Sequence, residues 1–209
     1  MSAAAFSLPA LGDVLGLEDG VFLLSLQREV TMGRFWNRIT VATGVILAVA
    51  LLRLVPHPPN VAPVTALALF AGATFGRRML GFFIPLAAML LSDSLLELLT
   101  GQGFHPHMPV VYGTFTLVVL LGSFLKERLQ VGRVALASVA ASTLFYLTTN
   151  FAVWASGTMY PNTAAGLVAC YIAALPFYGL SLVGDLMFAA LIFAAYSALV
   201  RHLPAASAS

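Results

Sequence analysis

Two acidic residues within an apolar stretch are the clearest candidates for chemistry in this sequence. Asp93 and Glu97 are four residues apart, so on a helix they share one face. An ionisable group inside a membrane segment is costly and usually faces a cavity or a partner. The pair therefore predicts a site for a cation, a proton or a substrate. The alternative is that Glu97 lies at the lipid headgroups and Asp93 pairs with a neighbouring hydroxyl or amide.

Asp185 and Asn150 are two further polar residues inside apolar stretches. Asp185 is far from either end of its stretch, so it is either a buried hydrogen-bonding or coupling residue, or the cap of a helix that restarts after Pro176. Asn150 either binds a ligand or hydrogen-bonds a neighbouring helix, as asparagines in membrane helices do.

The histidines and the cysteine do not form a metal-binding pattern. His105 and His107 flank Pro106, so this segment is predicted to be extended. In polyproline II, side chains two residues apart point about 240° around the axis, which disfavours joint chelation. No HxxxH or CxxC spacing occurs. We therefore expect no metal site, and ordinary hydrogen bonds for His57, His105 and His107. Cys170 is the one cysteine, so no intrachain disulfide is possible.

Composition identifies the kind of protein. The chain is 60% hydrophobic and 9% charged, whereas a soluble domain carries about 25% charged residues. Only a lipid-facing surface accommodates this balance. The net charge of +2 is too small to indicate nucleic acid, and no phosphate-binding loop, nucleophile elbow or zinc-protease motif occurs. We expect a membrane protein and not an enzyme. The sequence identifies no cofactor.

Six apolar stretches predict an all-α polytopic membrane bundle with about six transmembrane helices. The stretches are Phe35–Val55, Val61–Phe75, Met79–Thr100, Met108–Leu125, Val134–Ser156 and Ala164–Val200. The second is short for a span of about 20 residues. The last is long, and Pro176 predicts a break, with either an interfacial helix before a final span or a hairpin of two short helices. The transmembrane domain is assigned to 34–203, with a cytoplasmic, possibly interfacial arm at 1–33 and a tail at 204–209.

Basic residues predict the orientation. Nine of the ten lysines and arginines lie before or at the start of the first stretch, after the last, or in the two alternate loops between them; Arg53 is the exception. Cytoplasmic loops collect lysine and arginine, so both termini are predicted to be cytoplasmic. The loops 56–60, 101–109 and 157–163 are then external and hold much of the unusual polar chemistry.

This orientation leads to a predicted ligand site. The external loops lie over the outer ends of the stretches that carry Asp93 and Asn150, so we expect these two side chains to face one cavity that opens outward. Together, the predicted substrate-binding residues are Asp93, Asn150, His57, Asn60, His105 and Tyr160.

Small residues also recur at four-residue spacing, which lets helices approach closely. One series is Ala68, Gly72 and Gly76; the other is Ala190, Ala194 and Ala198. Such a series indicates either internal packing or a docking face for a partner membrane subunit, and we assign the docking role to Ala190, Ala194 and Ala198.

Six short segments form a recognisable pattern. They are Pro56–Val64, Pro85–Asp93, Gly103–His105, Thr149–Trp154, Tyr160–Pro161 and Cys170–Phe177. The pattern resembles a family of small bacterial membrane proteins of unknown function, over roughly residues 40–200, and implies the bacterial cytoplasmic membrane. More distantly, the size and six-helix plan are similar to the substrate-binding S components of energy-coupling-factor vitamin transporters. Those proteins bind a vitamin or metal externally and dock small-residue helix faces on a shared transmembrane subunit.

The leading functional hypothesis is a substrate-binding subunit for uptake of a small nutrient, vitamin-like or metal-related. One alternative is a structural or assembly subunit of a larger membrane complex. The other is a proton- or cation-coupled permease that uses Asp93 and Glu97. A pocket beneath the external loops favours uptake, a dry outer face favours the structural role, and a polar path from Asp93 to Asp185 favours the permease.

Overall fold

The computed structural model describes residues 20–54, 63–125 and 129–201, with side chains from Trp36 onward. Within these residues the chain is all-α, as predicted, and forms six helices. They are α1 (Gly20–Leu52), α2 (Val64–Phe75), α3 (Met79–Thr100), α4 (Met108–Ser123), α5 (Val131–Ala155) and α6 (Ala164–Arg201).

Three of these helices, α3, α5 and α6, are long and apolar enough to cross a membrane. The remaining apolar helices found in the described residues, Trp36–Leu52, α2 and α4, are shorter. Large apolar side chains such as Phe83, Leu136 and Val183 are exposed on the long helices. Apolar surface of this extent is stable against lipid, where each helix satisfies its own backbone hydrogen bonds. These are the features of a multi-pass membrane protein.

Two helices differ from the sequence prediction by more than a few residues at an end or in their interior. Helix α1 begins at Gly20, inside the segment assigned to the N-terminal arm; residues 1–19 lie outside the described part. The break predicted at Pro176 is wrong, because α6 is one continuous helix of 38 residues, which also excludes a hairpin. Proline removes a single hydrogen-bond donor, whereas a broken helix in lipid would expose several unpaired backbone groups.

The chain divides into two compact units within α1. The described residues up to Thr40 belong to the first, and Val41–Arg201 form the second. In the second unit, Ala42, Ile46, Val49 and Ala50 are buried. Their spacing of four, three and one residues marks a single helix face. The packing of this face positions Arg53, which directly follows the end of α1.

Helix α2 is the centre of the second unit. It contacts α3, α4, α5 and α6, and its residues from Ala66 to Ala73 are all buried. A Cβ atom at Gly72 would overlap the backbone oxygen of Val119 in α4, and one at Gly122 would overlap the backbone oxygen of Leu69 in α2. Each glycine thus admits the backbone of the other helix, so the small-residue series in α2 serves internal packing.

Helices α5 and α6 form an antiparallel pair. The Tyr146 hydroxyl donates to the Tyr171 carbonyl at 2.7 Å, and the Tyr171 hydroxyl donates to the Leu147 carbonyl at 2.7 Å. Near the end of α5, Trp154 Nε1 donates to the carbonyls of Pro161 and Thr163 in the loop that connects the two helices. These bonds fix the two helices that supply most of the candidate site.

Candidate functional site

Asp93 belongs to a closed polar network. Its Oδ1 accepts a hydrogen bond from Arg53 Nη1 at 2.6 Å, and its Oδ2 accepts one from the Tyr112 hydroxyl at 2.6 Å. The same Arg53 nitrogen donates to Ser92 Oγ at 2.6 Å. Asp93 is 3% exposed. The network joins α3 to α4 and to the residue that follows α1, and it supplies both charge and hydrogen bonds to the carboxylate from within the protein.

Glu97 has a separate and structural role. Its Oε2 accepts hydrogen bonds from the backbone N–H groups of Gly103 and Phe104, at 2.9 and 3.1 Å. A Cβ atom at Gly103 would overlap the backbone of Asp93 and Glu97, so glycine is needed for this close loop. The two acids therefore have separate sets of partners.

A cavity of about 540 Å³ lies between α2, α5 and α6. Its walls combine polar side chains with aromatic rings. The lining residues are Val64, Thr65, Ser142, Phe145, Tyr146, Thr149, Asn150, Ala174, Phe177, Tyr178, Ser181 and Asp185. On α5, Ser142, Tyr146, Thr149 and Asn150 follow helical spacing, so one face of that helix forms a polar wall.

Asp185 is the acidic residue of this cavity and is 3% exposed. Ser142 Oγ donates to its Oδ2 at 2.6 Å, and the Thr65 side chain also hydrogen-bonds with it. No lysine or arginine occurs among the described residues that line the cavity. The hypothesis that Asp185 caps a restarting helix is wrong, because α6 is continuous.

Asn150 lines the same cavity. Its Nδ2 donates to the Tyr146 carbonyl at 2.8 Å, one turn earlier in α5. This bond remains within the helix. The backbone oxygen of Asn150 accepts from Cys170 Sγ at 3.4 Å.

The structure separates residues that the sequence analysis had grouped. Asn150 lines the cavity, whereas Asp93, His105 and Tyr160 are not among its lining residues. The expectation that Asp93 and Asn150 line one cavity does not hold for this cavity. The Asp93 carboxylate contacts Arg53 and Tyr112 instead, and the aspartate that lines the cavity with Asn150 is Asp185. His57 and Asn60 lie outside the described residues. Solute binding by any of these side chains stays a prediction.

Sequence reasoning missed several cavity residues. Thr65 and Tyr178 were not singled out, and Tyr146 had no assigned role in a site. The polar series Ser142, Tyr146, Thr149 and Asn150 was the available signal, because it recurs at helical spacing within an apolar helix. The partner of Asp93 had a signal too: Arg53 is the lone basic residue outside the predicted cytoplasmic segments.

The small-residue series of α6 borders a second concavity. A groove of about 330 Å³ lies between the start of α5 and the second half of α6, and its walls are mostly apolar. Ala190 and Ala194 line it together with Val131 and Phe193, and Ala198 is exposed but is not part of its lining.

The closed network makes a testable prediction about stability. Asp93→Ala leaves the Arg53 charge without its partner, so we expect the free energy of unfolding to fall by about 3 kcal/mol. The double variant Arg53→Met/Asp93→Leu removes both charges and should lose less than the sum of its single variants. Unfolding in mixed micelles measures this coupling. Ser94→Ala is the control, since its hydroxyl bonds only within its own helix. Strictly additive losses would contradict a coupled ion pair.

Comparison with known proteins places the chain in a family. No curated protein and no solved structure matches it. The model of a family of unknown function, DUF6580, matches residues 34–206. This range covers most of the chain and includes helices α2 to α6, the closed Asp93 network and the whole cavity. The chain therefore belongs to this family of unknown function.

Proposed function

We propose that this protein is a substrate-binding membrane subunit for uptake of a small nutrient, and that the nutrient binds in the cavity between α2, α5 and α6. The observation that carries the proposal is the cavity itself. Its volume of about 540 Å³ falls within the range of roughly 300–1,000 Å³ for small-molecule sites. Aromatic rings with a few polar groups are the lining such sites use to hold and orient a solute.

The polar groups of the cavity support this role because one of them, Asp185, is a buried carboxylate. A polar group in an apolar membrane bundle is stable when the protein or a ligand supplies its partner. Arg53 neutralises Asp93, but no basic side chain lines the cavity around Asp185 in the part of the chain that the structure describes. A solute in the cavity would supply Asp185 and Asn150 with an interaction partner.

The orientation belongs to the same proposal. We place both termini in the cytoplasm of a bacterial cell, with six helices in its inner membrane, on the distribution of basic residues. On α5 the cavity extends to Asn150, near the helix end at Ala155. The following loop, residues 156–163, is then external, so that part of the cavity lies toward the outer face.

A partner membrane subunit is the second element of the proposal. The groove beside Ala190 and Ala194 is apolar and exposed at small residues, which suits close approach of another helix. The same feature favours the alternative role of a structural subunit. A permease that couples through Asp93 and Glu97 has less support, because both carboxylates already have partners in the protein.

The binding proposal predicts the effect of filling the cavity. Ala174→Phe adds a ring at the cavity wall, whereas Ala173→Phe adds the same ring at an exposed neighbour that does not line it. After incubation with a small-molecule extract of bacterial cells and gel filtration, native mass spectrometry should find a bound compound on the wild type and on Ala173→Phe, and at least tenfold less on Ala174→Phe. Equal capture by all three proteins, or no capture, would contradict the proposal.

The orientation predicts which loops a membrane-impermeant thiol reagent reaches. In a Cys170→Ala background, cysteines at the exposed positions Gln102 and Thr158 should react in intact cells. A cysteine at the exposed position Gln130 should react only after the cells are opened. Labelling detected by a gel-mobility shift measures this. The reverse pattern would place the loops 101–107 and 156–163 in the cytoplasm.

The docking proposal predicts a difference between two adjacent alanines of α6. Ala194→Leu fills the groove and should reduce co-purification of a membrane partner several-fold. Ala195→Leu, at an exposed residue outside the groove, should leave it unchanged. Quantitative mass spectrometry of gently solubilised complexes compares the two. If both variants retain every partner equally, this face is not the docking surface.

A further inference from the structure

Among the residues that the structure describes, the charge in the cavity is of one sign. Asp185 is the one carboxylic acid of this described lining, which contains no lysine, arginine or histidine. The Ser142 hydroxyl has a single proton and lies 2.6 Å from Asp185 Oδ2 but 2.9 Å from the Ser138 carbonyl. The shorter distance is typical of a hydroxyl that donates to an ionised carboxylate, about 2.5–2.7 Å. Two donors, Ser142 and Thr65, stabilise the charge without neutralising it.

The protein treats its other buried aspartate differently. Asp93 accepts from a hydroxyl, as Asp185 does, but it also has the guanidinium of Arg53 at 2.6 Å. A carboxylate in an apolar bundle is costly unless a positive charge accompanies it. At Asp185 the space that such a charge would occupy is the cavity.

The aromatic part of the lining also suits a cation. Phe145, Tyr146, Phe177 and Tyr178 all line the cavity. The Tyr146 hydroxyl is held by the Tyr171 carbonyl at 2.7 Å, and the Tyr178 hydroxyl lies 2.8 Å from that of Thr143. These bonds fix both rings and satisfy their hydroxyls, so the rings offer a solute mainly their π surfaces. The face of an aromatic ring attracts a cation and offers nothing to an anion.

The cavity does not suit a bare metal ion. Calcium and magnesium require about six oxygen ligands, several of them charged or from carbonyl groups. The residues that the structure describes contribute one carboxylate to the lining, and they contain no group of three histidine, cysteine or acidic side chains that could hold a metal ion. A volume of about 540 Å³ corresponds to an organic molecule.

We infer that the solute of this cavity is a small organic cation, such as an ammonium compound, whose positive group lies between Asp185 and the aromatic rings while Asn150 hydrogen-bonds its polar part. The inference rests on the proposed function and selects, between a vitamin-like and a metal-related nutrient, a positively charged organic one.

Two sets of probes with matched carbon skeletons test the charge of the solute. The first is phenethylammonium, 2-phenylethanol and phenylacetate; the second is choline, 3,3-dimethylbutan-1-ol and 3,3-dimethylbutanoate. Thermal unfolding of the purified protein is followed with a thiol-reactive fluorogenic dye. Cys170 is the one cysteine of the chain and is buried, so it reacts with the dye on unfolding.

The expected result is that the cation of at least one set raises the unfolding temperature with increasing concentration, as a ligand of the native state does, and that its neutral and anionic counterparts do not. Asp185→Asn should weaken that binding by roughly ten- to a hundredfold. Glu97→Gln removes one acid elsewhere and should leave it unchanged. If Asp185→Asn does not fold, Phe145→Leu replaces it and should weaken binding of the cation several-fold.

Three results would overturn the inference. Neutral or anionic probes could stabilise the protein as well as the cation does, or Asp185→Asn could bind the cation as tightly as Glu97→Gln does. If no probe binds, the charge of the compound captured in the Ala174→Phe experiment decides, and a neutral or anionic compound overturns the inference. In each case, the proposed function still holds if the wild type captures a compound that Ala174→Phe does not. If the wild type captures no compound at all, both the proposed function and this inference are wrong.

Discussion

The close contact between α2 and α4 determines the arrangement of the bundle. Gly72 lies against the backbone of α4 and Gly122 lies against the backbone of α2, and neither site has room for a Cβ atom. The contact lets α2, of 12 residues, sit in the centre with α3, α4, α5 and α6 around it. Because α2 is central, its first turn reaches the space between α5 and α6, and Thr65 becomes a neighbour of Asp185.

Several hydroxyl side chains of the bundle are satisfied within their own helix. The hydroxyls of Ser94, Thr116, Thr143 and Thr149 each donate to the carbonyl four residues earlier in their own helix. This arrangement needs no partner helix, so it places hydroxyls in an apolar medium at little cost.

Three carboxylates are bound by groups outside their own helix, and they differ in the partners that bind them. Asp93 accepts hydrogen bonds from Arg53 and Tyr112, and Glu97 accepts them from two backbone N–H groups of the following loop. Asp185 has hydrogen-bond donors but no positive group among the described residues along the cavity. The distinction between a structural acid and a candidate binding acid thus depends on their partners and not on burial, because Asp93 and Asp185 are each 3% exposed.

The sequence predicted the helices better than their contacts. Apolar runs separated by Gly- and Pro-containing loops placed α3 at its observed bounds, because hydropathy and backbone chemistry act locally. Hydropathy does not distinguish lipid from protein core, so the central position of α2 was not predicted. Asn150 was expected to share a cavity with Asp93 and instead lines the same cavity as Asp185, because the rotation of a nearly uniformly apolar helix about its axis is set by packing and not by its own pattern.

The length of α6 sets a condition on the membrane itself. At 1.5 Å per residue, its 38 residues extend about 57 Å, whereas a hydrocarbon core is about 30 Å thick. Even a tilt of about 40° would place only about 26 residues within that core. The helix carries just two charged residues, Asp185 and Arg201, so its excess length is apolar. This positive hydrophobic mismatch favours a tilted α6, with its ends in the headgroup regions, or a locally thicker bilayer.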